Sequence, residues 1–274
     1  MPAPLRTVLS IAGSDSGGGA GIQADGKAFS RLGVHGTFAV TAVTAQNTLG
    51  VRAIAPIAAE FVAAQVRAVV EDIGVDAVKV GMLLDAAIAA AVGGCLRELP
   101  AGLPIVVDPV LVSSTGTPLL APDAVGELVA SVLPRATFAT PNIEEARILA
   151  AYAGEIAPAS LSTAALAAAV IRLGPRCVIV TGARNAGDGL LDLFCDGTRA
   201  VEIVGERHRG GASHGSGCTH SAALAALLAL GQEPLAAARG AQSLTAASIR
   251  DGLASLGRGA GPVNVFGERA DRPR

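Results

Sequence analysis

The sharpest chemical signal in the sequence is a glycine-rich stretch at residues 215–219 (GSGCT), which opens a predicted helix that continues to residue 230. Glycines let the backbone turn so that several free N–H groups and the positive end of the helix dipole point at one place. Such a place suits a phosphate group. A cysteine in the first helical turn lies in the same field, so we expect a lowered pKa for Cys218. The structural alternative is a capped helix with Cys218 as a small core residue.

A second glycine-rich stretch lies at residues 13–21 (GSDSGGGAG), directly after the first predicted strand. Ligands of open α/β sheets commonly approach the backbone at the carboxyl ends of strands, which favours a binding loop here. The pattern matches neither the dinucleotide-binding fingerprint nor the P-loop. A flexible surface turn is the alternative.

Oxygen and amide side chains at three further places could serve a ligand. Asp108 follows the apolar run at 105–107, so its carboxylate should emerge at the carboxyl edge of the sheet. A magnesium–phosphate site needs an anion at such a place. The alternative is an ordinary turn residue before proline. Asn142 and Glu145 could organise magnesium through water, but their spacing alone favours a capping box. The amide of Gln46 could pair with an amino group and a ring nitrogen of a heterocycle, or simply order a loop.

The elements that must position these residues are predicted by hydrophobic periodicity. Short apolar runs predict strands at 7–12, 38–43, 75–80, 105–107, 137–139 and 177–180. Helical periodicity lies at 61–73, 85–99, 122–133, 143–153 and 163–173. The alternation predicts a mostly parallel central sheet with helices on both faces. Residues 190–195 and 199–204 predict an antiparallel hairpin at one edge, followed by two long helices.

Length and composition limit the class of protein. The 274 residues are 51% hydrophobic and 16% charged, and no apolar run reaches the ~20 residues that cross a bilayer. We expect one soluble domain over residues 1–268, with a frayed tail at 269–274. Residues 1–12 lead into the first glycine-rich stretch without a cleavage-like site and are interpreted as containing a buried strand.

Charge and cysteine spacing narrow the partners and the location. A net charge of −2, no tryptophan and one tyrosine argue against a nucleic-acid partner. The four cysteines, at positions 95, 177, 195 and 218, form no CxxC pair, which is typical of reduced intracellular thiols. We therefore expect a cytoplasmic protein without a membrane partner.

Taken together, these stretches resemble the hydroxymethylpyrimidine/phosphomethylpyrimidine kinases of thiamine biosynthesis, which are members of the ribokinase-like superfamily. The similarity covers nearly the whole chain in order: residues 10–25 (SIAGSDSGGGAGIQAD), 45–48 (AQNT), 79–83 (KVGML), 108–110 (DPV), 140–142 (TPN), 214–219 (HGSGCT) and 259–263 (GAGPV). The resemblance implies a ribokinase-like three-layer sandwich. It also implies ATP- and Mg²⁺-dependent phosphorylation of 4-amino-5-hydroxymethyl-2-methylpyrimidine and then of its monophosphate at one site. Homodimers are typical of such kinases.

The resemblance also assigns roles by position. Gln46 would hydrogen-bond the pyrimidine, in a pocket lined by Gly13, Ala20, Thr44, Met82 and Val110. Gly215, Gly217 and the backbone of Cys218 would form the anion hole, with Cys218 where many superfamily members carry an aspartate base. Asp108, Asn142 and Glu145 would serve magnesium and the triphosphate, with Asp108 and Glu145 nearest the metal, directly or through water; Thr181 and Ser216 would contact the nucleotide.

The sequence departs from the family at several basic positions. Many members carry lysines where this chain reads SSTG at 113–116, TGAR at 181–184 and GGAS at 210–213. Arg184, Arg207 and Arg209 are candidates to supply positive charge instead. Two alternatives therefore stay open: a pyridoxal or pyridoxine kinase, and a pyrimidine-binding protein with weak or lost transfer.

Overall fold

The computed structural model describes residues 5–113, 116–184, 190–206, 208 and 212–267, without the side chains at positions 184 and 190. The predicted frayed tail lies outside these residues. The strands are β1 (Thr7–Asp15), β2 (His35–Asn47), β3 (Gly50–Pro56), β4 (Ala77–Val80), β5 (Ile105–Val107), β6 (Phe138–Ala139), β7 (Cys177–Arg184), β8 (Leu190–Cys195) and β9 (Ala200–Gly205). They form one sheet in the order β3-β2-β1-β4-β5-β6-β7-β8-β9.

The centre of the sheet is parallel and both of its edges are antiparallel. Strands β2, β1, β4, β5, β6 and β7 pair in parallel. The predicted hairpin of β8 and β9 forms one antiparallel edge, which confirms that prediction. The other edge, β3 paired with β2, was not predicted, because its two large apolar residues, Val51 and Ile54, are three positions apart and show no period of two.

Helices cover both faces of the sheet, as predicted. They are α1 (Gly21–Arg31), α2 (Ala59–Asp72), α3 (Ala86–Glu98), α4 (Ala124–Glu127), α5 (Ile143–Tyr152), α6 (Thr163–Ile171), α7 (Ser216–Ala229) and α8 (Pro234–Arg250). One buried core joins the sheet to α2 through α6, and a second joins it to α1, α7 and α8. Alternate residues of β5 enter the two cores, since Ile105 and Val107 face the first and Val106 the second.

The helix predicted at 122–133 is shorter and less regular than expected. Regular α-helix covers only α4, and a π-helical turn at Leu128–Val132 and a 3-10 turn at Leu133–Arg135 follow it. Pro134 has no N–H group to donate to a helical carbonyl, so a regular helix cannot run through this position. The segment still buries Leu128, Val132 and Leu133.

The parallel strands bring the predicted site residues to one edge of the sheet. The glycine-rich stretch begins at the end of β1, Gln46 lies near the end of β2, and Asp108 directly follows β5. The carboxyl ends of parallel strands meet at the same edge, where ligands of such folds bind. Among the described residues, no helix combines the length and hydrophobicity that a membrane span requires.

Candidate active site

A cavity of about 840 Å³ opens at this edge of the sheet. Its volume lies at the upper end of the range of about 300–1,000 Å³ found for small-molecule sites. Every site residue predicted from the sequence contributes to its wall: Gly13, Ala20, Thr44, Gln46, Met82, Asp108, Val110, Asn142, Glu145, Thr181, Gly215, Ser216, Gly217 and Cys218. The structure therefore brings together residues that lie up to 205 positions apart in the sequence, while their individual roles stay predictions.

One end of the cavity holds the amide predicted to recognise a heterocycle. Gln46 lies on β2 beside a register shift between Ala45 and Gln46, and such an irregularity re-aims a side chain. The hydroxyl of Thr44 lies 3.2 Å from Gln46 Oε1 and 2.8 Å from the carbonyl oxygen of Ser14. The backbone of Gln46 is fixed too, because its N–H donates to Ser16 Oγ at 2.8 Å. The amide is thus held by its own strand and by the glycine-rich stretch.

The same end has close-packed walls. A Cβ atom at Gly13 would lie 3.2 Å from the sulfur of Met82, so the absence of a side chain there leaves room for Met82. Thr41 fixes the backbone beside this methionine by donating its hydroxyl to the Met82 carbonyl oxygen at 2.6 Å. The result is an apolar slot next to one amide, which suits a small aromatic ring.

The predicted phosphate cradle is the first turn of α7. Gly215 caps the helix with a φ of 81°, and a Cβ atom here would overlap the carbonyl oxygen of Gly19. Only glycine fits both the backbone angle and this contact. The N–H group of Ser216 already donates to the Ser213 carbonyl at 3.1 Å. Those of Gly217 and Cys218 belong to the first turn, where N–H groups lack a partner within the helix and can meet an anion.

The expectation of a lowered pKa for Cys218 is wrong. Burial, together with the nearby carboxylates of Asp25 and Asp108, raises the pKa of this thiol to about 12. The ammonium group of Lys79 and the N–H of Gly21 act in the opposite direction but do not outweigh burial. The helix dipole is too weak to compensate for desolvation between two acids. At neutral pH the cavity therefore presents a thiol at this position and not a thiolate.

A buried ion pair that sequence reasoning missed lies under the cradle. Lys79, on β4, places Nζ 3.0 Å from both carboxylate oxygens of Asp25 on α1, and both side chains are fully buried. Ser10 completes the cluster by donating its hydroxyl to Asp25 at 2.6 Å. Burial alone would lower the pKa of Lys79, yet Asp25 and Asp108 outweigh it and keep the amine charged. A lysine within an otherwise apolar strand was the available signal, because such a charge needs a carboxylate partner.

A group of acids forms the middle of the cavity wall. Asp108 accepts a hydrogen bond from Ser221 Oγ at 2.9 Å, and burial raises its pKa. Burial and the charge of Asp108 also raise the pKa of Glu145 to about 8. Asn142 and Glu145 form a capping box at the start of α5, so the structural interpretation of this pair is confirmed.

The acids fit a divalent cation that is shared with a phosphate ligand. Two buried carboxyl groups that disfavour each other's charge are relieved by a nearby cation. No group of three histidine, cysteine or acidic side chains able to hold a metal occurs in the described part of the chain. Mg²⁺ commonly takes one or two carboxylates and completes its shell with phosphate oxygens and water. Asp108 and Glu145 are suited to that kind of site.

A further part of the cavity wall was not predicted from the sequence. Besides Thr181, whose contact with the nucleotide stays a prediction, residues of α7, α8 and the segment after β9 contribute to the wall: Glu206, His208, His220, Gln242, Thr245, Ala246 and Ile249. His220 is 4% exposed, and neither ring nitrogen has a hydrogen-bond partner among the described residues. Burial lowers its pKa despite Asp192 and Asp108, so the ring is neutral. No motif marks these residues, since only tertiary packing brings α7, α8 and the segment after β9 together.

The candidate substitutes for the family lysines lie outside the description. The described residues do not include Arg207, Arg209 or residues 114–115 and 210–211. Arg184 is described without its side chain.

Comparison with known proteins decides the family. The profile of the phosphomethylpyrimidine kinase family matches residues 15–264. The chain belongs to this family. It is 46% identical over 260 residues to a hydroxymethylpyrimidine/phosphomethylpyrimidine kinase of Rhizobium meliloti, covering 94% of this chain and 96% of that protein. The resemblance drawn from the motifs is thereby confirmed, and the chain is a phosphotransferase.

Solved structures show the same fold. A pyridoxal kinase from Staphylococcus aureus in complex with AMP-PCP and pyridoxal superposes with a TM-score of 0.83 at 31% identity, over 96% of this chain and 94% of that one. A phosphomethylpyrimidine kinase from Clostridium difficile gives a TM-score of 0.71 at 34% identity, over 87% of this chain and 96% of that one. The predicted ribokinase-like sandwich is confirmed.

Proposed function

We propose that this family member phosphorylates 4-amino-5-hydroxymethyl-2-methylpyrimidine and then its monophosphate, with ATP as the donor, in thiamine biosynthesis. The observation that carries the proposal is the single cavity that joins Gln46 at one end to the first turn of α7 and the acids Asp108 and Glu145. The relative from Rhizobium meliloti bears the name of this activity. The kinase domain is proposed to span residues 1–268 and to act in the cytoplasm.

The pyrimidine is proposed to lie at the Gln46 end. The amide offers one donor and one acceptor, which complement the ring nitrogen and exocyclic amino group of an aminopyrimidine. Gly13, Ala20, Thr44, Met82 and Val110 would form the slot around the ring, since all contribute to this wall. The hydroxymethyl group would then point toward the first turn of α7.

Transfer is proposed to depend on position and on charge stabilisation. The transition state of phosphoryl transfer is loose, so little proton abstraction is needed early in the reaction. As the bond from the γ-phosphorus to ADP breaks and the new bond to the alcohol oxygen forms, the alcohol proton leaves late, to an oxygen of the transferred phosphoryl group or to water. A protonated thiol at Cys218 is compatible with this chemistry, because it can hydrogen-bond the acceptor oxygen without acting as the base. The N–H groups of Gly217 and Cys218 would meet the charge on the transferred group. Thr181 and Ser216 would contact the nucleotide.

Magnesium is proposed to be held by Asp108 and, through water, by Glu145 and Asn142. When bound, the cation supplies neutralising charge for the phosphates. Binding of magnesium through water is favoured for Glu145, because its carboxylate already accepts a hydrogen bond from the Asn142 N–H at 2.9 Å. Lys79 adds a fixed positive charge below the cradle, although Asp25 balances most of it.

Coupled ATP turnover with the pyrimidine alcohol and, separately, with its monophosphate tests the proposal. Saturable turnover of both supports it, and no turnover of either contradicts it. Pyridoxal kinase activity is the second candidate, because the staphylococcal pyridoxal kinase superposes with a higher TM-score than the clostridial phosphomethylpyrimidine kinase. Values of kcat/KM for the pyrimidine alcohol and for pyridoxal, measured side by side, decide between the two.

A further inference from the structure

We propose that Asp15 and His214 form a positioning pair that holds the pyrimidine pocket and the phosphate cradle at a fixed separation. The pair joins two segments, the glycine loop (residues 16–20) and the cradle loop (residues 213–218). Neither residue is assigned a place in the chemistry proposed above. The inference rests on the proposed function only in that the two loops are taken to hold the two reacting groups.

Asp15 organises the glycine loop from inside. It is the last residue of β1 and is 3% exposed. Its carboxylate accepts hydrogen bonds from the N–H groups of Gly17 at 2.8 Å, Gly19 at 3.0 Å and Ala20 at 2.8 Å. Burial alone would raise the pKa of Asp15, but His214 and the N–H groups of Gly17 and Ala20 outweigh it and lower the pKa. The carboxylate is therefore charged and fixes the shape of the loop.

His214 connects the same carboxylate to the cradle loop. Its Nε2 lies 3.0 Å from Asp15 Oδ2, and both side chains are almost fully buried. The backbone of His214 is held independently, because its N–H donates to Gly261 O at 3.2 Å and its carbonyl accepts from the Val263 N–H at 3.1 Å. Since these bonds fix the main chain, the imidazole can transmit the position of the cradle loop to Asp15.

The two loops also touch at glycines that have no room for a side chain. A Cβ atom at Gly19 would overlap the ring of His214, and one at Gly215 would overlap the carbonyl oxygen of Gly19. Next to this contact, the N–H of Gly21 lies close enough to Cys218 to lower the pKa of its thiol, although burial outweighs this effect. The junction therefore sets the distance from Ala20, in the pyrimidine wall, to the first turn of α7.

Such a junction should act on the rate more than on nucleotide binding. Misplacement of reacting groups by about 1 Å can cost about 100-fold in rate. We expect His214→Ala to lower kcat with the pyrimidine alcohol by roughly 10- to 100-fold, while KM for ATP changes by less than about 3-fold. His214→Gln keeps an N–H donor near the position of Nε2 and should recover at least about half of the lost activity on a logarithmic scale.

Asp76→Asn is the matched control. Asp76 also pairs with a cation, Arg6 at 2.7 Å, and also accepts a backbone N–H, from Thr7 at 2.8 Å. It lies at the amino end of β4, on the edge of the sheet opposite the cavity. This substitution should leave kcat within about 2-fold of the wild type, because no reacting group is displaced.

A double-mutant cycle tests the contact itself. Gly19→Ala should be strongly harmful alone, because its Cβ meets the His214 ring, and less harmful in the His214→Ala background, where the ring is absent. A coupling of at least about 5-fold in kcat/KM supports the proposal. Effects that multiply without coupling, or wild-type kcat in His214→Ala, overturn it while the kinase activity of the wild type still stands.

Hydrogen exchange keeps the inference testable apart from turnover. In His214→Ala, exchange at the amides of Gly19 and Ala20 should accelerate by at least about 10-fold, because Asp15 loses the partner that holds its carboxylate in place. Asp76→Asn should leave these amides unchanged, and His214→Gln should restore most of their protection. Unchanged exchange in His214→Ala refutes the positioning pair, whereas a wild-type protein that turns over no pyrimidine refutes only the proposed function.

Discussion

The protonation state of Cys218 gives the most direct test of how the site is built. The structure raises the pKa of this thiol to about 12, which is about three pH units above its ordinary value of 9.0. Each unit is a factor of ten in the thiolate fraction, so at pH 8 that fraction should be on the order of 1,000-fold below that of an unperturbed cysteine. Only the thiolate reacts with an alkylating agent.

Alkylation of the folded protein by iodoacetamide measures this directly. Peptide mass spectrometry follows modification of Cys218 from pH 7 to pH 10, with a short cysteine peptide as the reference thiol. Cys218 is partly exposed, whereas Cys95, Cys177 and Cys195 are buried, so the reagent can reach it. We expect its rate to rise about tenfold per pH unit without a midpoint below pH 10, while the reference levels off near pH 9.

Restricted access and incomplete ionisation of the thiol change the alkylation rate in different ways. Restricted access lowers the rate at every pH but does not move the midpoint. A midpoint at or below pH 8.5 would show that the cradle stabilises a thiolate, and the account of burial beside Asp25 and Asp108 would be refuted. The same reasoning predicts that a Cys218→Ser enzyme keeps every ionisation that the wild type shows in kcat/KM between pH 6 and pH 9.

Three further perturbations follow from the geometry. Gly215→Ala should lower kcat by about 100-fold or more, as loss of a hydrogen-bond donor does in oxyanion sites. The control is Gly231→Ala, which has a similar φ of 83° and open space around it and should cost only about 1–2 kcal/mol of stability in a denaturation curve. Equal kcat values for the two variants would contradict the cradle. Gln46→Ala should raise KM for the pyrimidine alcohol by roughly 10- to 100-fold, equivalent to the ~1–3 kcal/mol for an unsatisfied polar group, and leave KM for ATP unchanged in steady-state kinetics; a shift confined to ATP would refute the assignment. The pKa of Glu145 is about 8 in the folded protein and 4.5 ordinarily, so its contribution to stability is fully present below pH 4.5 and is lost as the pH rises to about 8. Glu145→Gln should therefore flatten this part of the curve of Tm against pH in magnesium-free buffer. An unchanged slope would contradict the raised pKa.

The predictable part of the molecule is the part that local sequence determines. The apolar run Ile105–Val107 predicts a buried strand, and Asp108 after it must emerge at the carboxyl edge. The glycines at 215 and 217 predict a cradle because the helix begins there. The capping-box spacing of Asn142 and Glu145 is equally local, and the structure confirms it.

The parts that escaped prediction depend on neighbours that are distant in sequence. Lys79 is unusual in its strand, but nothing local assigns Asp25, 54 residues earlier, as its partner. The pKa of Cys218 reverses direction for the same reason, since the helix end is local whereas the burial and the acids come from β5 and α1. The wall formed by Gln242 and Thr245 has no motif because tertiary packing alone brings α8 to the cavity.

The charges around the cavity bear on how phosphate is bound in a chain without lysine at residues 113–116, 181–184 and 210–213. Lys79 lies in the described wall, but Asp25 at 3.0 Å compensates its charge before any phosphate binds. Asp108 and Glu145 cannot attract phosphate either, because burial raises the pKa of Asp108 and, together with Asp108, raises that of Glu145 to about 8. Phosphate binding by the described residues alone would therefore rest on the N–H groups of Gly217 and Cys218, which carry only partial charge. A divalent cation that arrives with the nucleotide changes this situation, because its charge stabilises the ionised form of both acids and lets them act as ligands. Nucleotide affinity should consequently depend on magnesium more steeply in this chain than in a relative with the full set of lysines.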